Sequence, residues 1–422
     1  MSWTMVLFTG CLLSSSLQAG PVELASPVTV AEGGSLSTAA GDFDQDGRDE
    51  FVDVVMREAF RLFDWQEDSN QFDLIDLLPP EEMAKRQNRF GAGLAVADLN
   101  DDGWLDLVVP ESSFVSGPGK VLGFLNPKGK LKEPWEIITI AEWPPGVGTV
   151  QQITDVAVGD VDQNGKSDVV VRDLEKGCHV ILRNTAGEWQ SPVLVEVNPS
   201  YGLGLADLDG DGDLDLALNG VWIETPEDPA SASGWMPRIF AESWYPEERN
   251  FATVKQYSTI VQVADYNGDD RLDIAIANAD QLAPAPSKPA GIQLFIAPED
   301  PKSGDWKTVI LETDHRSWST FLQADFNQDN FPDLFSATSD YGIEKNAPAK
   351  MIGYFSYENG QYLNRRVLPI SVKIYHASFG DVDGDGDLDL IAPTKWNGGE
   401  LLFFENQPTP DDPDAPTPTV MR

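Results

Sequence analysis

Nine residues recur seven times along this chain, with oxygen-bearing side chains at the same places: DFDQDGRDE from 42, DLNDDGWLD from 98, DVDQNGKSD from 160, DLDGDGDLD from 207, DYNGDDRLD from 265, DFNQDNFPD from 325 and DVDGDGDLD from 381. Position 1 is always Asp, positions 3 and 5 are Asp or Asn, and position 9 is Asp or Glu. Oxygens at 1, 3 and 5 converge when such a loop turns tightly, Gly at position 6 permits the turn, and the acid at 9 closes the cage. This is the ligand logic of an EF-hand in shorter form, and it suits a hard divalent cation, Ca²⁺ above all. The expected ligands are Asp42, Asp44, Asp46 and Glu50; Asp98, Asn100, Asp102 and Asp106; Asp160, Asp162, Asn164 and Asp168; Asp207, Asp209, Asp211 and Asp215; Asp265, Asn267, Asp269 and Asp273; Asp325, Asn327, Asp329 and Asp333; and Asp381, Asp383, Asp385 and Asp389. Up to seven calcium ions follow. In two copies Asp270 and Asn330 replace the Gly; both types tolerate a left-handed backbone, so these loops should form but bind more weakly, and Asp265 or Asp325 should matter less than Asp207.

A second chemistry is available away from these loops. His376, Tyr375 and Arg89 would suit proton abstraction beside a neutralised carboxylate. Arg249, Lys255, Tyr257, His315, Arg316, Trp318 and Lys373 form a cationic and aromatic set suited to binding a carboxylate, a sulfate or a sugar face.

The spacing of the loops names the elements that must hold them. Copies begin 47 to 62 residues apart, about one four-stranded unit of a radial β-fold, and seven units use the whole chain after its first residues. In the fifth unit TIVQVA enters the loop and RLDIAIA leaves it, followed by GIQLFIA and WKTVILE, each alternating and rich in β-branched residues. Third strands elsewhere read FRLFDW, VLGFLN, HVILRN, VWIET, IGYFSY and ELLFFEN. The last unit has no fourth strand of its own, whereas VELASPVTV at 22–30 precedes the first loop without a unit, so the N-terminal segment is expected to close the ring. The expected fold is all-β, a seven-bladed propeller over 20–406. All calcium loops then lie on one face, and the connections between second and third strands and between blades lie on the other.

The loops and the strands before them, best seen in FGAGLAVADLNDDG (90–103) and YGLGLADLDGDG (201–212), resemble the FG-GAP and VCBS repeats of integrin-α-like propellers. The resemblance covers about 23–406 and implies the propeller and its calcium loops, but no particular activity. The stretch at 376–406 is also similar to last-blade segments of aldos-2-ulose dehydratase-like and some polysaccharide lyase propellers.

The chain of 422 residues carries a net charge of −40. That argues against a nucleic-acid partner. The loop positions hold about a third of its 69 acidic residues. Residues 1–19 read as a signal peptide cleaved after Ala19, with lipidation at Cys11 as the alternative, and no segment is long enough to span a membrane. Residues 407–422, rich in Pro and Asp, read as a disordered tail. Cys178 is expected to be a buried strand residue and His179 a structural one. No nucleophile elbow, HExxH, phosphate loop or dinucleotide fingerprint occurs. The expectation is therefore a secreted, periplasmic or cell-surface monomer that binds an anionic glycan or an extracellular protein, ahead of a carbon–oxygen lyase or sugar dehydratase, with a purely structural surface protein as the third reading.

Overall fold

The computed structural model describes residues 22–407 apart from 34, 56–58, 87–88, 92, 113–116, 144–149, 151–152, 175, 198–199, 246–258, 280–290, 314–317, 339–351, 359–360, 363–365, 369, 371 and 396–398. Seven antiparallel sheets are arranged as the blades of a propeller, with almost no helix. In the first blade Ser37–Gly41, Glu50–Val55, Ala59–Gln66 and Gln71–Leu78 pair in that order from the innermost strand outwards. The fifth follows the same plan with Thr259–Ala264, Asp273–Asn278, Ile292–Ile296 and Lys307–Glu312. In the second blade the innermost strand is split into Arg89–Phe90 and Ala95–Ala97, both paired to Asp106–Ser112.

The last blade is completed from the start of the chain. Val28–Glu32 pairs with Glu400–Phe404 as its outermost strand, and Glu23–Leu24 pairs with Asn406–Gln407 beside it. The amide of Ala25 donates to the carbonyl of Glu405 at 2.8 Å, and that of Gly33 to Gly399 at 2.9 Å. The ring is therefore closed by pairing the two ends of the chain, which covers an edge that would otherwise be free to pair with other molecules.

The core lies between blades. Seven apolar clusters fill the seams, one to each; the closing seam, for example, packs Phe51, Phe63 and Trp65 of the first blade against Val382, Ile391, Leu401 and Phe403 of the last. Second strands are covered on both faces by neighbouring blades, and Glu50–Val55, Asp168–Asp173 and Asp273–Asn278 are buried at every position. This is why they read as largely apolar runs without strict alternation, whereas outer strands such as Gln71–Leu78 present exposed positions among the buried ones. The glycines before the loops answer to crowding near the axis: a Cβ on Gly91 would lie 2.5 Å from the carbonyl oxygen of Ile153 in the next blade.

Candidate metal centres and the opposite face

Each loop joins the innermost strand of a blade to the strand that follows, so all seven lie on one face. Neighbouring loops touch there: Gln45 donates to the carbonyl of Gly103 at 2.7 Å, Gln328 to that of Gly386 at 3.0 Å, and the amide of Asp49 to that of Asp381 at 2.7 Å.

The seven loops share one hydrogen-bond ladder. The position 1 carboxylate accepts the amide of position 6 at 2.8–3.1 Å in every copy. Position 5 likewise accepts the amide of position 7 at 2.8–3.2 Å. Two left-handed residues per loop make these bonds possible, at positions 4 and 6. Asp270 and Asn330 adopt φ of 64° and 66° at position 6, and Gln45, Asp101, Gln163 and Gln328 are left-handed at position 4. The loops with substituted glycines therefore take the same shape as the rest.

Position 9 has a role beyond closing a cage. One of its oxygens accepts the amide of position 2 in all seven loops, at 2.8–3.1 Å. In five blades the other accepts an amide at the end of the third strand, at 2.6–3.0 Å, from Asn126, Arg183, Thr225, Ala297 and Asn406. In those five blades the acid staples its loop to the end of the third strand. Oxygens of Asp42, Asp44 and Glu50 lie within 4.8 Å of one another, as do those of Asp160, Asp162 and Asp168, of Asp207, Asp209 and Asp215, and of Asp381, Asp383 and Asp385. These triads could hold a metal ion. The donors are all oxygen, as Ca²⁺ or Mg²⁺ requires, and they include no soft ligand.

Electrostatics favour a cation here. Burial, reinforced by the other acids of each loop, pushes the position 9 acids up to about 9 for Glu50 and Asp389, about 8 for Asp215 and Asp333, about 7 for Asp168 and Asp273 and about 6 for Asp106. Such groups bind more protons folded than unfolded, so without metal the folded state is favoured at low pH and loses stability as pH rises through these values. In EDTA the melting temperature is expected to fall steadily between pH 6 and pH 9, and saturating calcium should flatten the profile. A profile in EDTA that is level or rises with pH would contradict this balance.

Three further acids were not apparent from the repeat. Asp64, Glu224 and Glu405 stand at the ends of third strands in the first, fourth and seventh blades, which are the blades with Asp at positions 1, 3 and 5. Burial and the nearby Asp44 raise Asp64, while burial with Asp383 and Asp385 pushes Glu405 up to about 7. Aligning FRLFDW, VWIET and ELLFFEN would have revealed them. On the same face a cleft of about 500 Å³ between the third and fourth blades is lined by Asp162, Asp211, Asp213, Glu224 and Glu227 among others.

The structure brings together two of the three proposed reacting groups. The rings of Tyr375 and His376 meet edge to face at 4.3 Å, just before the innermost strand Ser378–Gly380. The His376 amide donates to Ser319 of the sixth blade at 3.1 Å, its carbonyl accepts from Thr38 of the first at 2.8 Å, and its φ is 46°. Part of its surface still reaches solvent, yet the protein packed around the ring lowers its pKa to about 4 by desolvation, so the imidazole is neutral. Arg89 and Trp318 are placed by backbone alone, in the innermost strands of the second and sixth blades, and Lys373 is half-buried. Arg249, Lys255, Tyr257, His315 and Arg316 lie outside the described residues, as do the leader and the residues after 407. Cys178 is buried, and His179 is held at 3.2 Å by Asp173 and packed on Trp143.

Comparison with known proteins agrees with the geometry. The FG-GAP-like repeat family matches residues 160–218 and 325–392. A crystal structure of BBS1N in complex with ARL6DN, soaked with lead, is similar with a TM-score of 0.52 and 12% identity, over 90% of this chain and 96% of that one. A mercury-soaked crystal of the same complex gives 0.53 and 13%, with the same coverage. At such identity the likeness concerns the fold. The comparison with curated proteins found no match.

Proposed function

Since the chain is a seven-bladed propeller carrying FG-GAP-like repeats, we propose that it is a secreted or cell-surface binding module, stabilised by calcium in its loops, that takes an anionic glycan on the face opposite them. The observation that supports this most is the polarisation of the disc. Loop carboxylates and the acidic cleft occupy one face and would repel a polyanion, while the second strands of the fifth and sixth blades end on the other face at Asn278 and Thr338, and the innermost strands that begin with Arg89 and Trp318 start there. Propellers of this kind serve binding generally, and a rigid ring of blades is a scaffold on which such connections can vary freely.

A glycan array with and without EDTA is the direct test, with Arg89→Glu combined with Lys373→Glu as the variant. Sulfated or uronate-rich glycans should bind the parent, and the variant should bind about tenfold more weakly or worse, since two attracting charges become repelling ones. Binding should also weaken with salt as exposed charges are screened, while calcium affinity stays unchanged. Glycan binding that ignores the double reversal would move the site to another surface, and binding of proteins alone would replace the glycan reading. Any bound uronate glycan should then be followed for ultraviolet absorbance of an unsaturated product. Its appearance, and its loss in His376→Ala with binding retained, would turn the module into a lyase.

A further inference from the structure

The fourth and seventh loops each hold five acids and no basic residue, with Asp at positions 1, 3, 5, 7 and 9 in both. The two differ in what stands beside them. Lys302 comes from the connection between the third and fourth strands of the fifth blade. Its ammonium lies 2.7 Å from Asp209, 2.9 Å from Glu224 and 3.6 Å from Asp211. The Asp209 side chain is 1% exposed, so its charge is almost wholly withdrawn from water and needs a cation close by.

Lys302 is held at this place. Its own amide donates to Asp300 at 3.0 Å, the amide of Gly304 donates to the Asp300 carbonyl at 2.8 Å, and Trp306 donates to the carbonyl of Pro301 at 3.4 Å. From the fourth blade Arg238 reaches the Lys302 carbonyl at 3.4 Å and also pairs with Glu224. The turn is thus tied to both blades, and its ammonium points into the loop of its neighbour.

We propose that Lys302 is the resident cation of the fourth loop, an ammonium that takes the carboxylates of Asp209, Asp211 and Glu224 in place of a metal ion. Asp209 and Asp211 are positions 3 and 5, the oxygens a calcium ion in that loop would need. A divalent ion on them would stand within a few ångströms of the ammonium and would have to expel it. The seventh blade supplies the contrast: Glu405 matches Glu224 and faces Asp383 and Asp385, but among the described residues no lysine or arginine pairs with it. The arrangement bolts the fourth blade to the fifth without metal, and it reverses the ranking expected from sequence, in which Asp207 matters more than Asp265 or Asp325.

The proposal rests on the reading of the other loops as calcium sites, and its test separates the two. Calcium is titrated calorimetrically into the chelator-stripped full chain as parent, Asp383→Asn, Asp209→Asn and Lys302→Met, each checked for native near-ultraviolet circular dichroism. Asp383→Asn should lose one site, Asp209→Asn should keep the parent's count, and Lys302→Met should gain one. Loss of one site in Asp209→Asn overturns the proposal while leaving calcium binding intact, and so does a folded Lys302→Met with the parent's count and affinities. If Lys302→Met does not fold, the Asp209→Asn count decides alone. No calcium uptake by any of the four proteins overturns the calcium reading, and this proposal with it.

Discussion

Stripping calcium from the purified protein should lower its melting temperature by about 10 °C or more, the largest effect that any small molecule is expected to have on it. The reason is the density of charge in the loops, where position 9 acids buried to 2% exposure or less face further carboxylates. An ion that binds only the folded ring contributes about 2.7 kcal/mol per site when free calcium exceeds its Kd a hundredfold. Four or more such sites sum to roughly 10 kcal/mol, comparable with the whole stability of an ordinary domain. Differential scanning fluorimetry in calcium, magnesium and EDTA checks this. Calcium should give the highest midpoint and EDTA the lowest, with magnesium between them because it demands a stricter octahedral shell. Equal midpoints in calcium and EDTA would mean that the hydrogen-bond ladder alone holds the loops, and the metal reading would fail. The loops of blades two, three, five and six, which carry Asn100, Asn164, Asn267 and Asn327 at position 3 or 5, have one carboxylate fewer and should release calcium first in a graded titration with chelator.

Much of this architecture was legible in the sequence because its markers are local. A loop with Asp, Asn and Gly at fixed offsets fixes where one strand ends and the next begins, and the alternation of TIVQVA or WKTVILE gives the strand type on either side. Counting strands then left one missing at the end and one spare at the start. Other features were hidden because their cause is not local. A left-handed Gln at position 4 carries no signature, since Gln45, Gln163 and Gln328 are imposed on that conformation by the bonds around them. The bracket role of position 9 depends on an amide from a strand that follows the loop by ten or more residues. Lys302 was illegible for a stronger reason: it belongs to one blade and acts on another, and nothing in PEDPKSGDW announces that its ammonium will enter DLDGDGDLD. The candidate reacting groups show the opposite case. Tyr375 and His376 meet as adjacent residues readily do, but whether Arg89 joins them depends on the packing of three blades.

The second large effect is expected from the shortest change to the chain, removal of residues 22–32. These residues contribute little apolar surface of their own, since Val28–Glu32 is at most half-buried along its length. Their weight comes from what they cover. Without them Glu400–Phe404 becomes an outer edge with unpaired amides and carbonyls, next to the seam in which Phe51, Phe63, Trp65, Leu401 and Phe403 are packed. Further contacts vanish too, among them the bond from the amide of Val22 to the Tyr354 hydroxyl at 3.2 Å and that from Thr29 to Glu400 at 3.1 Å. An exposed edge of this kind recruits other chains. The truncated protein is therefore expected to elute as dimers or larger species in size-exclusion chromatography with light scattering, and to melt about 5 °C or more below the parent, the shift that a loss of several kcal/mol produces in a domain of this size. A synthetic peptide of residues 22–33 added in excess should restore the monomer and most of the midpoint, because it can pair with Glu400–Phe404 from solution. Carrying Val28→Pro and Val30→Pro in that peptide should abolish the rescue, since proline cannot donate to the ladder. A truncated chain that stays monomeric at the parent's midpoint would show that the seam between the first and last blades holds by side-chain packing alone.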